Sequence, residues 1–85
     1  MTVKELKDIL EKQDDNTIVI LSRDGEGNGY SPLSCADKTY YLAESTWQGE
    51  IGEKVLTDEL ISSGYGEEDI LGEDAVPALV FWPIN

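Results

Sequence analysis

One stretch of the sequence has the residue types and spacing of half a calcium-binding loop. Asp24, Glu26 and Asn28 place oxygen-bearing side chains on alternate residues, and Gly29 follows where such a loop turns sharply. The third position is Glu instead of Asp or Asn, and Cys35 occupies the twelfth, where a bidentate Glu belongs. We therefore favour a solvated glycine-rich loop, and keep calcium or another divalent metal at Asp24, Glu26 and Asn28 as the weaker alternative. No other cofactor is predicted.

The chain lacks the partners that nucleophilic catalysis needs. Cys35 and Ser34 are the nucleophile candidates, but the sequence contains no histidine to act as a base, and only Lys38 lies near enough in sequence to lower the pKa of the thiol. Cys35 is therefore interpreted as buried or idle. A phosphate-binding loop is also disfavoured, because Asp24 and Glu26 would repel a phosphate. The sequence predicts a protein that is not an enzyme.

Negative charge is the most unusual bulk property. The 85 residues include 18 acidic and 6 basic side chains, a net charge of −12. Residues 1–38 have eight acids and five bases, whereas residues 39–85 have ten acids and Lys54 as their one base. Direct nucleic-acid binding is disfavoured, because it relies on Lys and Arg replacing phosphate counterions. A partner protein with a basic surface is the complementary expectation.

Length and cysteine content limit the class of protein. A chain of 85 residues predicts a single domain, 1–85, with a small core. One cysteine cannot form an internal disulfide, which favours the reducing cytoplasm. The amino terminus has no signal-peptide pattern, and no apolar run approaches the roughly 20 residues of a membrane span. Neither membrane insertion nor export is predicted.

Local patterns predict a small α+β fold. Residues 75–84 form a dense apolar run, predicted to be a strand covered on both faces. Residues 17–22 are predicted to be a second buried strand that lies beside it, and residues 38–43 are predicted to be a third, shorter strand. The pattern Thr2-x-x-Glu5 predicts an N-terminal helix whose apolar side docks on the sheet, and Thr57 and Gly64 bracket a second short helix. The predicted architecture is a small antiparallel sheet of about three strands packed by the N-terminal helix.

The remaining segments are predicted to be loops, and they contain the candidate partner-binding residues. Residues 23–33 are a glycine-rich loop, residues 44–50 turn the chain, and residues 67–74 form an acidic turn or loop. Aromatic residues are frequent in interface hot spots, and carboxylates can occupy positions where a basic surface would bind phosphates. The predicted contact residues are Trp47, Glu67, Glu68, Asp69, Glu73 and Asp74.

Three stretches of the sequence resemble a known group of proteins. They are DGEGNGYSPL at residues 24–33, ESTWQGE at residues 44–50 and DAVPALVFWP at residues 74–83. With the opening MTVKEL, they resemble small uncharacterised proteins of tailed phages and prophages over nearly the whole length. The resemblance implies a phage-encoded accessory protein in the cytoplasm of an infected bacterial host. It implies no assigned activity.

Charge and resemblance together predict a non-enzymatic protein that binds a host or phage protein. One form of this hypothesis is an inhibitor that mimics nucleic acid, because its carboxylates present negative charge to a basic surface. The alternative is a homo-oligomeric component of the virion or its assembly, with a homodimer formed through the apolar sheet. The weaker alternative is the divalent-metal-binding protein described above.

Overall fold

The structure, a computed structural model that describes residues 1–84, has an α+β fold. An antiparallel sheet of four strands is combined with two α-helices. In chain order the elements are α1 (Val3–Leu10), β1 (Ile20–Ser22), β2 (Tyr30–Ala43), β3 (Gly49–Gly52), α2 (Asp58–Ser62), a 3-10 turn (Glu67–Asp69) and β4 (Val76–Pro83). The predicted fold class is confirmed, and the sheet has one strand more than the three predicted.

Strand β2 pairs with each of the other three strands. Its beginning is antiparallel to β1, with Ser22 opposite Tyr30, and its end is antiparallel to β3, with Ala43 opposite Gly49. Strand β4 also pairs with β2. The contacts divide the chain into two compact units, which are named for their place along the sequence. The outer unit comprises Met1–Leu33 with Pro83 and Ile84, and the central unit comprises Ser34–Trp82.

Helix α1 in the outer unit begins at the predicted capping box. The Thr2 hydroxyl accepts from the Glu5 backbone N–H at 3.2 Å, and the Thr2 backbone N–H donates to the Glu5 carboxylate at 3.3 Å. These reciprocal bonds satisfy amide donors that a helix start otherwise leaves free. On the apolar side of the helix, Leu6 is half-buried, whereas Ile9 and Leu10 are exposed.

The strand predicted at residues 17–22 is shorter, more exposed and differently paired than expected. The Thr17 N–H donates to the Asp14 carbonyl at 3.0 Å and closes a turn, so the strand begins later than predicted and β1 comprises only Ile20–Ser22. Ile18 is 82% exposed, so the prediction of a buried strand is wrong. The predicted neighbour was β4, but β1 pairs with β2. Apolar, β-branched composition favoured a strand without determining its partner.

Two hairpins account for the other differences in the sheet. Strand β2 begins at Tyr30, inside the predicted loop 23–33, and the Arg23 N–H closes the shorter loop on the Gly29 carbonyl at 2.8 Å. The strand predicted at residues 38–43 is therefore only the end of a 14-residue strand. At its far end the predicted turn 44–50 is shortened as well, because β3 begins at Gly49.

The C-terminal apolar run forms strand β4, as predicted, but neither face is buried. Leu79 and Trp82 point to opposite faces of the strand and are 44% and 40% exposed. The prediction of a strand covered on both faces is wrong, and the one α-helix in the same unit, α2, has only five residues. Within residues 1–84, Ala75 is the one nearly fully buried side chain.

Candidate protein-binding surface

Trp47 lies at the tip of a well-built hairpin turn in the central unit. The Ser45 hydroxyl accepts from the backbone N–H groups of Trp47 and Gln48 at 3.3 and 3.2 Å. The Gln48 carbonyl in turn accepts from the N–H groups of Glu44 and Ser45 at 3.0 and 3.1 Å. These bonds fix the backbone while leaving the Trp47 side chain 82% exposed. The hairpin therefore presents an indole ring that nothing in its own turn covers.

Gly49 explains how the strands flanking this turn can approach each other. A Cβ atom at Gly49 would collide with the Leu42 carbonyl oxygen and lie 2.6 Å from the end of the Tyr41 ring. Only glycine avoids both contacts at this position. The same pairing places Glu50 opposite Leu42 in the ladder. The Trp47 turn is thus held at its base by a close backbone contact and at its tip by the Ser45 hydroxyl.

The predicted acidic residues differ in their structural roles. The Asp69 carboxylate accepts from the Gly66 backbone N–H at 2.8 Å and caps the 3-10 turn. Glu67 and Glu68 in the same turn are exposed, as are Glu73 and Asp74, which follow Gly72. Residues 72–75 form a turn in which the Ala75 N–H donates to the Gly72 carbonyl at 3.2 Å.

The segment of residues 67–74 therefore supplies exposed carboxylates on a folded backbone, and within it Asp69 acts as a structural cap.

A groove of about 460 Å³ lies beside this segment, entirely within the central unit. Its apolar lining comes from Val55, Leu56, Ile70 and Leu71, and its charged lining from Lys54, Glu67 and Glu73. Two backbone hydrogen bonds join its walls: the Leu71 N–H donates to the Glu53 carbonyl at 2.7 Å, and the Gly72 N–H donates to the Lys54 carbonyl at 3.1 Å. Sequence reasoning missed this groove. Its one available signal was the apolar pair at residues 70 and 71 inside an acidic stretch.

Charge in the central unit is almost entirely of one sign. Ser34–Trp82 contains eleven acidic residues and two basic ones, a formal charge of −9. Of the two, Lys54 has its ammonium nitrogen 6.0 Å from the centre of the Tyr40 ring, at the outer limit of a cation–π contact. A negative field of this kind steers cationic partners towards the surface and repels phosphate groups.

The Asp24 loop in the outer unit is closed by hydrogen bonds to the Asp24 carboxylate. Asp24 accepts from the Asn28 side-chain amide and backbone N–H at 2.9 and 3.3 Å, and from the Glu26 N–H at 2.9 Å. The Asn28 side chain is the largest cause that lowers the pKa of Asp24 below its ordinary value, followed by the two backbone donors. A cation would have to replace these donors, and metal binding by Asp24, Glu26 and Asn28 stays a prediction.

The other chemical candidates are dispersed. Cys35 is a free, exposed thiol. The expectation of a buried cysteine is therefore wrong, and the alternative interpretation, an exposed cysteine without a chemical role, stays a prediction. Over residues 1–84, no group of three or more carboxylate, thiol or imidazole side chains is placed to hold a metal ion. In the same residues, neither helix has the length and apolar character needed to cross a bilayer.

Comparison of the chain with protein-family models, curated proteins and solved structures gave no match. The surface of the central unit is therefore the feature from which a function can be proposed. Of the six residues predicted to contact a partner, the structure exposes Trp47 on a rigid turn and places Glu67 and Glu73 along one groove. Asp69 is committed to the Gly66 cap.

Proposed function

We propose that this chain is a phage-encoded, non-enzymatic accessory protein that binds a host or phage protein through the central unit. The observation on which the proposal depends most is the Trp47 side chain, 82% exposed on a hydrogen-bonded turn. Exposed tryptophan leaves a large apolar surface in water, and tryptophan is among the residues most often found at the energetic centre of interfaces. A turn that is already ordered loses little entropy when a partner covers its side chain.

The charge of the central unit supports a partner with a basic surface. Eleven acidic residues against two basic ones favour an encounter with Lys- and Arg-rich surfaces, including surfaces that otherwise bind nucleic acid. Mimicry of nucleic acid is the specific form of this proposal. The phage origin and the cytoplasm of an infected bacterium as its location come from the resemblance of residues 24–33, 44–50 and 74–83.

A homo-oligomeric assembly component is the second candidate function. Strand β4 favours it, because Val76, Leu79 and Trp82 are 54%, 44% and 40% exposed along a strand of eight residues. Another copy of the chain packed on one face of the strand would bury Val76 and Trp82, which lie on the same face. Two chains of net charge −12 repel each other, so added salt should strengthen such an oligomer, whereas it should weaken binding to a basic partner.

Capture of the partner from bacterial lysate tests the proposed function. Trp47→Ala should weaken capture about 30-fold, as expected for removal of a hot-spot tryptophan. Tyr30→Ala is the matched control, since Tyr30 is also an exposed aromatic, at 65%, but lies in the outer unit. Equal capture by the Trp47→Ala variant and the wild-type protein would contradict the proposal.

Charge reversal tests the electrostatic half of the proposal separately. The double variant Glu67→Lys with Glu68→Lys should weaken capture about tenfold at low salt. Asp69 must be kept, because it caps the 3-10 turn through Gly66. The control introduces the same change of charge at Asp14 and Asp15, which are exposed residues of the outer unit. A loss of the same size in both double variants would show that only net charge matters.

A further inference from the structure

The groove of the central unit has a chemical character that narrows the kind of partner it fits. Four apolar side chains and three charged ones line it, and all of them come from two short segments, residues 54–56 and 67–73. Its volume of about 460 Å³ lies within the range of about 300–1,000 Å³ typical of ligand-binding clefts. The groove is large enough to hold side chains of a partner, as well as water.

The walls of the groove are fixed before any partner arrives. The Leu71 and Gly72 N–H groups bond to the Glu53 and Lys54 carbonyls, so the two segments cannot separate without breaking both hydrogen bonds. The Leu71 side chain also lies over Gly52, 3.6 Å from the place where a Cβ atom of Gly52 would be. A preformed groove binds with a smaller entropic cost than one that must be assembled.

The charges of the groove select the sign of its occupant. Glu67 and Glu73 contribute two carboxylates to the lining, and Lys54 contributes one ammonium group, which lies near the Tyr40 ring. An anionic ligand would meet this excess of carboxylates inside a unit of formal charge −9. A cationic side chain meets a favourable field instead.

The apolar lining adds a second requirement. Leu56, Ile70 and Leu71 are half-buried, and Val55 is 48% exposed, so the groove offers apolar surface whose removal from water would favour binding. Arginine suits such a place, because its stem packs on apolar side chains while its guanidinium group binds a carboxylate in a bidentate way. A purely polar basic segment would leave the apolar lining unused.

We propose that the groove formed by residues 54–56 and 67–73 binds a segment of a partner protein that combines arginine with large apolar residues. The apolar side chains of that segment cover Leu56, Ile70 and Leu71, and its guanidinium groups pair with Glu67 and Glu73. This inference rests on the proposed function and specifies the partner's chemistry at one site, separate from the contact made by Trp47.

Peptide titrations of the full chain, followed by amide NMR spectra, test the inference. The probe is an acetylated and amidated pentapeptide of alternating leucine and arginine. We expect saturable shifts at the amides of Val55, Leu56, Leu71 and Gly72, with a Kd of about 0.1–1 mM, equivalent to roughly 4–5.5 kcal/mol. One control peptide replaces arginine by glutamate, and another replaces leucine by serine. Both should bind at least about tenfold more weakly, since each lacks one of the two interactions.

A double variant tests the carboxylates without changing their size. Glu67→Gln with Glu73→Gln should weaken binding of the leucine–arginine peptide about tenfold. Asp37→Asn with Glu50→Gln is the matched control, since both residues are exposed in the same unit and neither lines the groove. The control variant should bind like the wild-type protein. If both variants lose the same amount, general charge and not the groove attracts the peptide, and the inference is overturned.

Other occupants give different results. Equal shifts with the glutamate peptide would mean an apolar site without charge selection, and concentration-dependent shifts of the same amides without peptide would mean a second copy of the chain. Either result, or the absence of shifts in the groove, overturns the inference. Trp47→Ala separates it from the proposed function, because this variant should lose capture and keep the peptide titration. Capture without any peptide binding would refute the groove alone.

Discussion

Replacement of Gly49 by alanine tests how the hairpin that presents Trp47 is built. The added Cβ would collide with the Leu42 carbonyl oxygen, a backbone atom that cannot rotate away, and would press on the Tyr41 ring. Overpacking of this kind costs about 1–3 kcal/mol, and we expect the upper end because the main obstacle is backbone. For a domain of this length, about 3 kcal/mol corresponds to a fall in Tm of roughly 12–24 °C.

Thermal unfolding followed by circular dichroism gives the result directly. Gly25→Ala is the matched control, because a Cβ at Gly25 has no atom within 4 Å and the residue lies in a loop. Both substitutions restrict the unfolded chain to the same extent, so the difference between them isolates the collision in the hairpin. A Gly49→Ala variant whose Tm lies within about 3 °C of the Gly25→Ala variant would refute the close packing of β2 and β3.

Two further predictions concern local hydrogen bonds. Thr57→Ala removes the hydroxyl that accepts from the Leu60 N–H at 3.2 Å. Urea titrations should show a free energy of unfolding lower by about 1 kcal/mol, whereas the Thr57→Ser variant, which keeps a hydroxyl, should retain most of the wild-type stability. Asp24 has a pKa below its ordinary value in the folded loop because Asn28 donates to it. Its contribution to stability is therefore complete above the pKa of the unfolded chain and is lost as the pH falls through the lower folded-state pKa. The carboxyl carbon resonance of Asp24 should titrate at a lower pH in the wild-type protein than in an Asn28→Ala variant, and equal midpoints would contradict the hydrogen-bonded loop.

Features that depend on neighbouring residues were predictable from the sequence. The capping box at Thr2 and Glu5, the cap at Thr57 and the glycine after α2 all occur where the sequence placed them. Each involves residues three or four positions apart, or a backbone angle that glycine alone tolerates easily, such as the φ of +95° at Gly64. The position of Trp47 on a hydrogen-bonded turn was only partly predictable, since the sequence indicated a turn but not the Ser45 hydrogen bonds.

Burial and pairing were not predictable, because they depend on distant parts of the chain. The apolar runs at residues 17–22 and 75–84 each contain a strand, β1 and β4, but their composition does not indicate whether another element covers them. Strand β4 pairs with β2 instead of β1, and this pairing joins residues that lie far apart in the sequence. The groove was not predictable from the sequence for a related reason. Its walls meet through backbone hydrogen bonds from residues 71 and 72 to residues 53 and 54, which many side-chain types permit.

The response of partner capture to salt tests the central claim most directly. Wild-type protein is used to capture its partner at about 50 mM and at about 500 mM salt. Between these two concentrations the screening length falls from roughly 14 Å to about 4 Å. If the anionic surface of the central unit binds a basic protein, the yield should fall steeply as salt rises, and the free protein should sediment as a monomer at both concentrations. A yield that is constant or rises with salt, together with a salt-strengthened dimer, would contradict the claim and favour self-assembly.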